Sequence, residues 1–205
     1  RASWGSPPPV ADVVQRLVAE GLDQAAAARL AGPLCGFLGS GFAARAARAR
    51  VFVREHPFSL GVPAGPSTLE LRGTMDLLVV EGDTAFVVDY KLSHPTRDLA
   101  PWAFQLRTYG LAARELEGVD RVLAGVVFLH GSTPEPRWLP GGDIEGALAR
   151  TEHEAHAREL GALGRRYAEA RWADRWDGVP KPTCVRLHCG FITACHGRST
   201  PEESA

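Results

Sequence analysis

The sequence has no long hydrophobic run and no excess of positive charge. No stretch of 18 apolar residues occurs, and the N-terminus has no basic segment followed by an apolar one. Neither a transmembrane helix nor a secretory signal is therefore indicated, and we expect a cytoplasmic protein. The formal net charge is -1. This balance argues against a free-standing, sequence-independent DNA-binding protein, because such proteins usually carry a strong positive excess.

Lysine and cysteine are also scarce. Lys91 and Lys181 are the only lysines, so nearly all the positive charge is arginine. A lysine retained against this background merits individual inspection. The four cysteines are Cys35, Cys184, Cys189 and Cys195. Without a secretion signal a disulfide framework is not expected, which leaves a metal site or buried free thiols.

The length and composition are those of one ordinary globular domain. The chain has 205 residues, of which 45% are hydrophobic and 23% charged, enough to bury a substantial core. Hydrophobic spacing predicts a first helix over residues 10–20 and a second helical region over 23–48, broken near Gly32-Pro33. Alternation then predicts strands over 50–60, 68–80 and 84–91, separated by a loop at 61–67 and a tight turn at 81–83.

The second half of the chain returns to helical patterns. We predict a helix over 98–117, a buried strand over 122–129, a short edge strand over 134–139 and a long helix over 143–172. An irregular, cysteine-containing tail is expected from residue 177. This order of elements predicts an α/β fold in which a central mixed β-sheet is flanked by helices.

Three residues near the tight turn carry the clearest chemical signal. A hairpin through residues 81–83 would bring Asp76 and Asp89 near the same end of two adjacent strands. Lys91 lies two residues beyond Asp89, so both side chains fall on one face of the strand. Two carboxylates can hold Mg²⁺ or Mn²⁺, and the metal can activate water and polarise a phosphate. A lysine beside them can stabilise the negative charge that develops on the phosphorus.

A plainer interpretation of the same residues is a solvated strand end. An Asp-x-Lys tripeptide is common, and most instances have no chemical role. However, Asp89 directly follows the apolar residues Val87 and Val88, and burying a lone carboxylate is costly. This position therefore favours a functional carboxylate over a merely solvated one.

In combination, these motifs resemble a known family. The motif Gly73-x-x-Asp76, the strand end Val88-Asp89-Tyr90-Lys91 and the pair Gln105 and Tyr109 resemble the RecB/AddA-type branch of the PD-(D/E)XK nucleases. The segment 54–58 also resembles the strand that precedes the first aspartate in AddA-like members. That domain has a restriction-endonuclease-like fold and is usually the C-terminal domain of helicase-nucleases that process double-strand breaks.

The resemblance implies a set of roles. Asp76, Asp89 and the carbonyl of Tyr90 would bind Mg²⁺ or Mn²⁺, and Lys91 would be the catalytic lysine. Gln105 and Tyr109, one helical turn apart, would touch the DNA strand or support the site. An alternative for this pair is simple packing of a helix on the sheet.

The resemblance also implies an organisation and a partner. Residues 1–205 would be one nuclease-like domain of a longer helicase-nuclease, acting on single strands or duplex ends in DNA repair and recombination. The helicase motor would lie elsewhere in the polypeptide or complex, since no Gly-x-x-x-x-Gly-Lys-Ser/Thr phosphate loop occurs in this chain.

One departure from the family pattern keeps a second function open. The family has a histidine on an early helix that completes the metal site, whereas the first histidine here is His56, already in the strand region. Either the chain begins downstream of that helix or the histidine is lost. The alternative function is a catalytically inactive nuclease-like module that binds DNA ends or acts as a scaffold.

The tail cysteines allow three interpretations. The spacing Cys184-x4-Cys189-x5-Cys195 resembles the cysteines that hold a [4Fe–4S] cluster in some nucleases of this clan, with Cys35 as the distant fourth ligand. His188 and His196 would also allow a zinc site, which would make the chain a structural metal-binding module. The third interpretation is ordinary cysteines without metal.

Two further groups of residues have surface roles in our predictions. Arg45, Arg48, Arg50 and Arg54 could contact phosphates, although an exposed arginine face is usually only solvated. His153 and His156 on the long polar helix are predicted to be surface residues.

Overall fold

The computed structural model describes residues 4–94, 98–130, 135–140, 148–174 and 180–186, with residues 184–186 described by backbone only. Within these ranges the helices are α1 (Val10–Ala19), α2 (Gln24–Leu38), α3 (Gly41–Ala47), α4 (Ala100–Glu117), α5 (Arg150–Trp172) and α6 (Lys181–Arg186). The strands are β1 (Val51–Ala64), β2 (Ser67–Glu81), β3 (Thr84–Lys91), β4 (Arg121–Phe128) and β5 (Arg137–Trp138).

The described strands form one mixed sheet in the order β1-β2-β3-β4-β5. Strands β3 and β4 are parallel, and the other neighbouring pairs are antiparallel. The parallel pair is buried on both faces, which is why β3 and β4 consist of nearly continuous apolar residues. The predicted α/β fold with a central mixed sheet and flanking helices is confirmed.

The two faces of the sheet pack against different helices. One face, which we call the α4 face, packs against α4 and α5; the core there contains Val80 and Val87 of the sheet and Leu106 of α4. The other, the α2 face, is covered by α3 and the end of α2 and contains Phe37, Val79 and Val88. Side chains alternate between these two cores along β3, as strand geometry requires.

The N-terminal helical region breaks at a different place from the one predicted. Helix α2 runs through Pro33 without interruption, so the predicted break near Gly32-Pro33 is wrong. The chain instead breaks after Gly39, because Ser40 caps a new helix by accepting a hydrogen bond from the Ala43 N–H at 3.0 Å. A proline removes only one backbone donor, and the burial of Ala31 and Cys35 against α1 offsets that loss.

Strands β1 and β2 form a longer hairpin than the sequence suggested. The predicted loop at 61–67 is mostly strand, because the pairing continues to Ala64 opposite Ser67. Leu60, Val62 and Ala64 are buried at alternate positions, and α5 packs against both strands of the hairpin. Burial of these side chains fixes the extended conformation, and only Gly65 and Pro66 remain as a turn.

The remaining elements agree with prediction to within a few residues where they are described. The long helix predicted over 143–172 is an exception, because Leu148 bridges to Val122 and α5 begins only at Arg150. Residues 141–147 lie outside the described ranges. The predicted irregular tail contains a short helix at Lys181–Arg186. The rest of that tail, residues 187–205, lies outside the described residues. None of the described helices is both long and apolar enough to cross a membrane.

Candidate active site

The C-terminal end of β3 brings a buried carboxylate and a lysine together. Asp89 is 2% exposed, and its Oδ2 lies 2.6 Å from Lys91 Nζ. The two side chains share the α4 face because they are two residues apart on one strand. Burial raises the pKa of Asp89, the Lys91 ammonium opposes that rise, and the charge of Asp76 adds to it. The structure therefore places Asp89 and Lys91 on one face, as their spacing predicted, and in direct contact.

Helix α4 holds the other oxygen of this carboxylate. Gln105 Nε2 donates to Asp89 Oδ1 at 3.1 Å and to Tyr109 Oη at 2.9 Å. An amide nitrogen has two protons, so both bonds can exist together. The Tyr109 ring packs edge-on against Phe58 on β1. Gln105 and Tyr109 thus form a short chain from the hairpin to Asp89.

Asp76 reaches the same site from the neighbouring strand. Its Oδ2 accepts a hydrogen bond from the backbone N–H of Tyr90 at 2.8 Å. The side chain also lines a cavity on the α2 face, whereas Asp89 and Lys91 face α4. The three residues therefore meet at the end of β3 from opposite faces of the sheet. Asp76 contacts the backbone N–H of Tyr90, the residue between Asp89 and Lys91.

A distortion in the hairpin accompanies this approach. Glu55 has a left-handed backbone with φ of 50°, a conformation that is strained for a residue other than glycine. The β1–β2 pairing skips this residue, passing from Arg54 opposite Leu77 to His56 opposite Met75. Side-chain alternation reverses here, since Met75 packs in the α4-face core and Leu77 in the α2-face core. The reversal occurs at Asp76.

A cavity of about 1040 Å³ opens beside Asp76 on the α2 face. Aromatic side chains form part of its wall, including Trp4, Phe52 and Tyr90. Burial raises the pKa of Tyr90, so its phenol stays protonated. Two arginines, Arg16 from α1 and Arg54 from β1, also line the cavity. A phosphate group entering it would meet these two arginines as well as the carboxylates of Glu55 and Asp76.

Three of the four arginines considered as phosphate contacts have different surroundings, and the fourth, Arg48, is exposed. Arg45 forms an ion pair with Glu81 and lies over the Phe86 ring, and Arg50 lies 3.8 Å from Glu117. Of the four, Arg54 lines the cavity beside Asp76. Arg16 was not singled out from the sequence, because nothing in a helical pattern reveals which residues face a site on a distant strand.

The residues at the strand end suit a hard cation. Asp89 Oδ2 is buried and, among the described residues, makes the ion pair with Lys91 but no hydrogen bond of good geometry. A buried, under-satisfied carboxylate oxygen with a second carboxylate nearby fits the donor set of Mg²⁺ or Mn²⁺. No group of three or more His, Cys, Asp or Glu side chains in the described part of the chain could hold a metal. A site here would therefore need backbone oxygen and solvent.

Of the four cysteines, Cys35 is described with its side chain. Cys35 is buried between α1 and α2, where its Sγ lies 3.6 Å from the Pro8 carbonyl. Burial raises the pKa of this thiol, which disfavours the thiolate that metals bind. Cys184 belongs to the backbone of α6, but its side chain is not described, and Cys189 and Cys195 lie outside the described residues.

The prediction that His153 and His156 are surface residues is wrong. They are 2% and 3% exposed on α5, facing α4. Burial lowers the pKa of His153 to about 4 and also lowers that of His156. The sequence of α5 is polar along its whole length, so its hydrophobic pattern did not reveal the buried side of the helix. Their spacing of three, followed by Leu160 and Gly164 on the same side, was the signal that could have found it.

The sequence is similar to known proteins of one nuclease family. The sequence model of the PD-(D/E)XK nuclease superfamily matches residues 8–196. An ATP-dependent helicase/nuclease subunit of Carboxydothermus hydrogenoformans is 39% identical over 88 residues, which cover 36% of this chain. The match spans only 8% of that relative's own length. This similarity supports the predicted likeness to the RecB/AddA-type branch.

The crystal structure of SSO0001 resembles the chain with a TM-score of 0.45 and 15% identity, over 93% of this chain and 86% of that one. So distant a likeness has no bearing on function. The superfamily match, by contrast, extends over most of the chain and includes every element that builds the strand-end site. The chain belongs to the PD-(D/E)XK nuclease superfamily.

Proposed function

We propose that this chain is a metal-dependent deoxyribonuclease domain that hydrolyses DNA phosphodiester bonds at the C-terminal end of β3. The observation that carries the proposal is the buried contact between Asp89 and Lys91, with Asp76 hydrogen bonded to the backbone between them. A buried carboxylate with a raised pKa is unfavourable for folding alone, and such costs concentrate at functional sites. Because the chain belongs to a nuclease superfamily, a role of Asp89 in phosphodiester hydrolysis would explain why this unfavourable carboxylate is present.

The metal ligands in this proposal are Asp76, Asp89 and the carbonyl oxygen of Tyr90. Oxygen donors of this kind suit Mg²⁺ or Mn²⁺, with water completing the coordination. When bound, the metal would polarise the scissile phosphate and lower the pKa of a water molecule. Gln105 orients Asp89 by hydrogen bonding to Oδ1, which leaves Oδ2 to be shared by Lys91 and the metal.

Lys91 is the catalytic residue in this proposal, because its ammonium would act directly on the attacking water and the phosphoryl group. Its side chain is 25% exposed, so the ammonium can reach solvent and substrate while it contacts Asp89. An ammonium at this position can orient the attacking water and stabilise charge on the phosphoryl oxygens. Gln105 and Tyr109 support the carboxylate in this proposal, since both Gln105 protons are used within the protein.

The substrate we propose is a single DNA strand, degraded exonucleolytically in recombination and repair. The cavity beside Asp76 offers aromatic walls for bases and two arginines for phosphates. A helicase motor in the same polypeptide or complex would deliver the strand. That partner is proposed because the relative from Carboxydothermus hydrogenoformans belongs to a helicase/nuclease, while this chain has no phosphate-loop motif.

A catalytically inactive DNA-end-binding module is the second candidate. One observation favours it: helices α1–α3 contain no histidine, so the ligand that completes the metal site in the resembling family has no counterpart there. The superfamily match already begins at residue 8 and so includes α1. Weak metal affinity with intact DNA binding would be the signature of this candidate.

The deciding experiment is degradation of end-labelled single-stranded DNA with Mg²⁺ or Mn²⁺. Wild type is compared with Asp89→Ala, Lys91→Ala and a control, Arg166→Ala, at an exposed position of α5. We expect cleavage by wild type and the control, and none by the two site variants. Labels at either end and a circular strand distinguish polarity and exonuclease from endonuclease activity, and an RNA strand tests the sugar preference.

Each outcome of this assay has one meaning. Activity that survives both site variants would contradict the assignment of the site. If wild type and all variants bind the strand but none cleaves it, the end-binding module replaces the nuclease.

Iron and zinc analysis of the same preparations tests the cysteine tail, and we expect Cys35→Ser to leave the metal content unchanged because Cys35 is a buried thiol.

A further inference from the structure

A hydrogen-bond network centred on the buried His156 joins α5 to the turn of α4 that supports the proposed active site. Thr108 Oγ1 donates to the Phe104 carbonyl at 2.9 Å and lies 2.9 Å from His156 Nε2. On its other side, His156 Nδ1 lies 3.1 Å from Glu159 Oε2. None of these residues takes part in the proposed chemistry, so the network requires another explanation.

Counting protons shows that the three contacts depend on the charge of His156. The Thr108 hydroxyl has one proton, and when the Phe104 carbonyl receives it, His156 Nε2 must donate to the hydroxyl oxygen. An ionised Glu159 carboxylate only accepts, so Nδ1 must also carry a proton. All three hydrogen bonds can therefore form together only when the imidazole is protonated on both nitrogens.

A neutral imidazole forces one contact to change. If Nδ1 keeps its proton for Glu159, Nε2 becomes an acceptor, and the Thr108 hydroxyl must turn from Phe104 to His156. Burial lowers the pKa of His156, Glu159 raises it and Arg107 lowers it. His153, one turn earlier on α5, also interacts electrostatically with His156. Both forms of His156 are thus accessible on the acid side of neutrality, with different hydrogen bonds for Thr108.

This change occurs in the turn of α4 that carries Gln105, whose side chain is hydrogen bonded to Asp89. Gln105 follows Phe104 directly and donates to Asp89, while Tyr109 follows Thr108 and accepts from Gln105. A threonine hydroxyl bonded to the carbonyl four residues earlier tends to bend a helix locally. Moving that bond alters the turn between Phe104 and Thr108, where the Gln105 side chain originates.

We propose that His156 is a positioning residue whose protonation state, transmitted by Thr108, sets the placement of Gln105 against Asp89. The hydrogen-bond coupling is a property of the folded chain alone. Its consequence for cleavage rests on the proposed nuclease function.

The coupling can be measured without any enzymatic reaction. The chain has three glutamines, Gln15, Gln24 and Gln105, and no asparagine, so side-chain amide signals in an NMR spectrum come from these three residues only. In metal-free protein we expect the Gln105 amide signal to shift with pH at the midpoint shown by the His156 ring nitrogens. Gln15 and Gln24 serve as internal controls, because they lie on α1 and α2.

Variants at Thr108 separate coupling from simple proximity. In Thr108→Val we expect His156 to titrate while the Gln105 signal no longer follows it. In Thr108→Ser, which keeps the hydroxyl, the coupled shift should return. A Gln105 signal that ignores His156 in wild type, or follows it equally in Thr108→Val, would overturn the proposal. Thermal unfolding of each variant confirms that the protein compared is folded.

The pH profile of cleavage then tests the consequence. We expect an ionisation in kcat that matches the His156 midpoint and disappears in Thr108→Val, with KM unchanged, because the network lies away from the strand-binding cavity. If coupling is seen by NMR but no variant cleaves DNA, only the proposed nuclease function falls. If cleavage occurs without the NMR coupling, only this inference falls.

Discussion

The two faces of the sheet differ most where β3 ends. On the α4 face, Asp89 is buried beneath Gln105, and its environment is fixed by α4 and the β1–β2 hairpin. On the α2 face, Asp76 borders a cavity of about 1040 Å³ with two arginines at its wall. The closed face can hold a carboxylate at a fixed position, and the open face can admit a substrate.

This contrast assigns different tasks to the two faces. Precise placement of ligands and catalytic groups requires packing that excludes alternatives, whereas substrate access requires space. We therefore expect variants on the closed face to impair chemistry with little effect on binding. Apart from the proposed metal ligand Asp76, variants on the open face should impair binding with little effect on chemistry, and the following predictions test that division.

The largest effect is expected from Asp89→Asn on the closed face. The amide keeps the shape but cannot bind a divalent cation as a carboxylate does, so we expect cleavage to fall by about a thousandfold or more. Because burial raises the pKa of Asp89, its ionised form disfavours folding at neutral pH. The metal-free variant should therefore be at least as stable as wild type in urea unfolding.

A clear loss of stability in Asp89→Asn would contradict this account. It would mean that the ion pair with Lys91 stabilises the fold more than desolvation of the carboxylate destabilises it. Lys91→Ala provides the matched measurement, since it removes the partner and leaves the buried charge.

The second effect concerns the packing behind the closed face. His153 is buried, and its pKa is lowered from 6.5 to about 4, so the unfolded chain binds the proton more readily than the folded one. The free energy of unfolding should thus fall as pH decreases from 6.5 to about 4, by up to about 3 kcal/mol, and level off below. Above pH 6.5 this contribution is fully present.

Urea unfolding at several pH values, for wild type and His153→Leu, measures this contribution. The variant should lose much of the slope between pH 6.5 and 4, keeping a smaller part from His156, whose pKa is lowered in the same direction. An unchanged slope in His153→Leu would show that the histidine is protonated or solvated in the folded protein. The α4 face would then be less closed than described.

Much of this closed face could be predicted from the sequence, and the open face could not. Adjacent positions on one strand determine their own geometry, so Asp89 and Lys91 were predictable from a spacing of two. The two-residue turn at Gly82-Asp83 similarly fixed which strand would lie beside β3. The fold class followed from the order of strands and helices for the same local reasons.

The remaining features depend on contacts between distant segments. The left-handed Glu55 arises in the distorted pairing of β1 with β2, and no local pattern indicates it. The position of Arg16 beside the cavity depends on how α1 packs on α2. His153 and His156 were misplaced because a helix with few apolar residues can still bury one side when it spans both a hairpin and a neighbouring helix.

The third effect is expected when the support of Asp89 is weakened. Gln105→Leu removes the hydrogen bond to Oδ1 at similar volume, and loss of such a partner typically costs about 10–100-fold in metal affinity or activity. Tyr109→Phe, which leaves Gln105 in place, should cost less. Two measurements separate metal binding from DNA binding. In Gln105→Leu, cleavage should require a higher metal concentration, whereas the affinity for DNA should not change. Equal losses in the two variants would indicate that the tyrosine hydroxyl itself touches the substrate.

The smallest effect is expected on the open face, from Arg16→Ala and Arg54→Ala. Each arginine would contribute one phosphate contact, so the affinity for single-stranded DNA should fall several-fold per variant, and the slope of log affinity against log salt by about 0.7. Binding is measured in the Asp89→Asn background, with Arg166→Ala as the control at an exposed position of α5. With saturating DNA, the cleavage rate of each arginine variant in the otherwise wild-type protein should approach that of wild type. A lower rate at saturation with unchanged affinity would mean that the arginines act on the transition state, and the division between a closed catalytic face and an open binding face would fail.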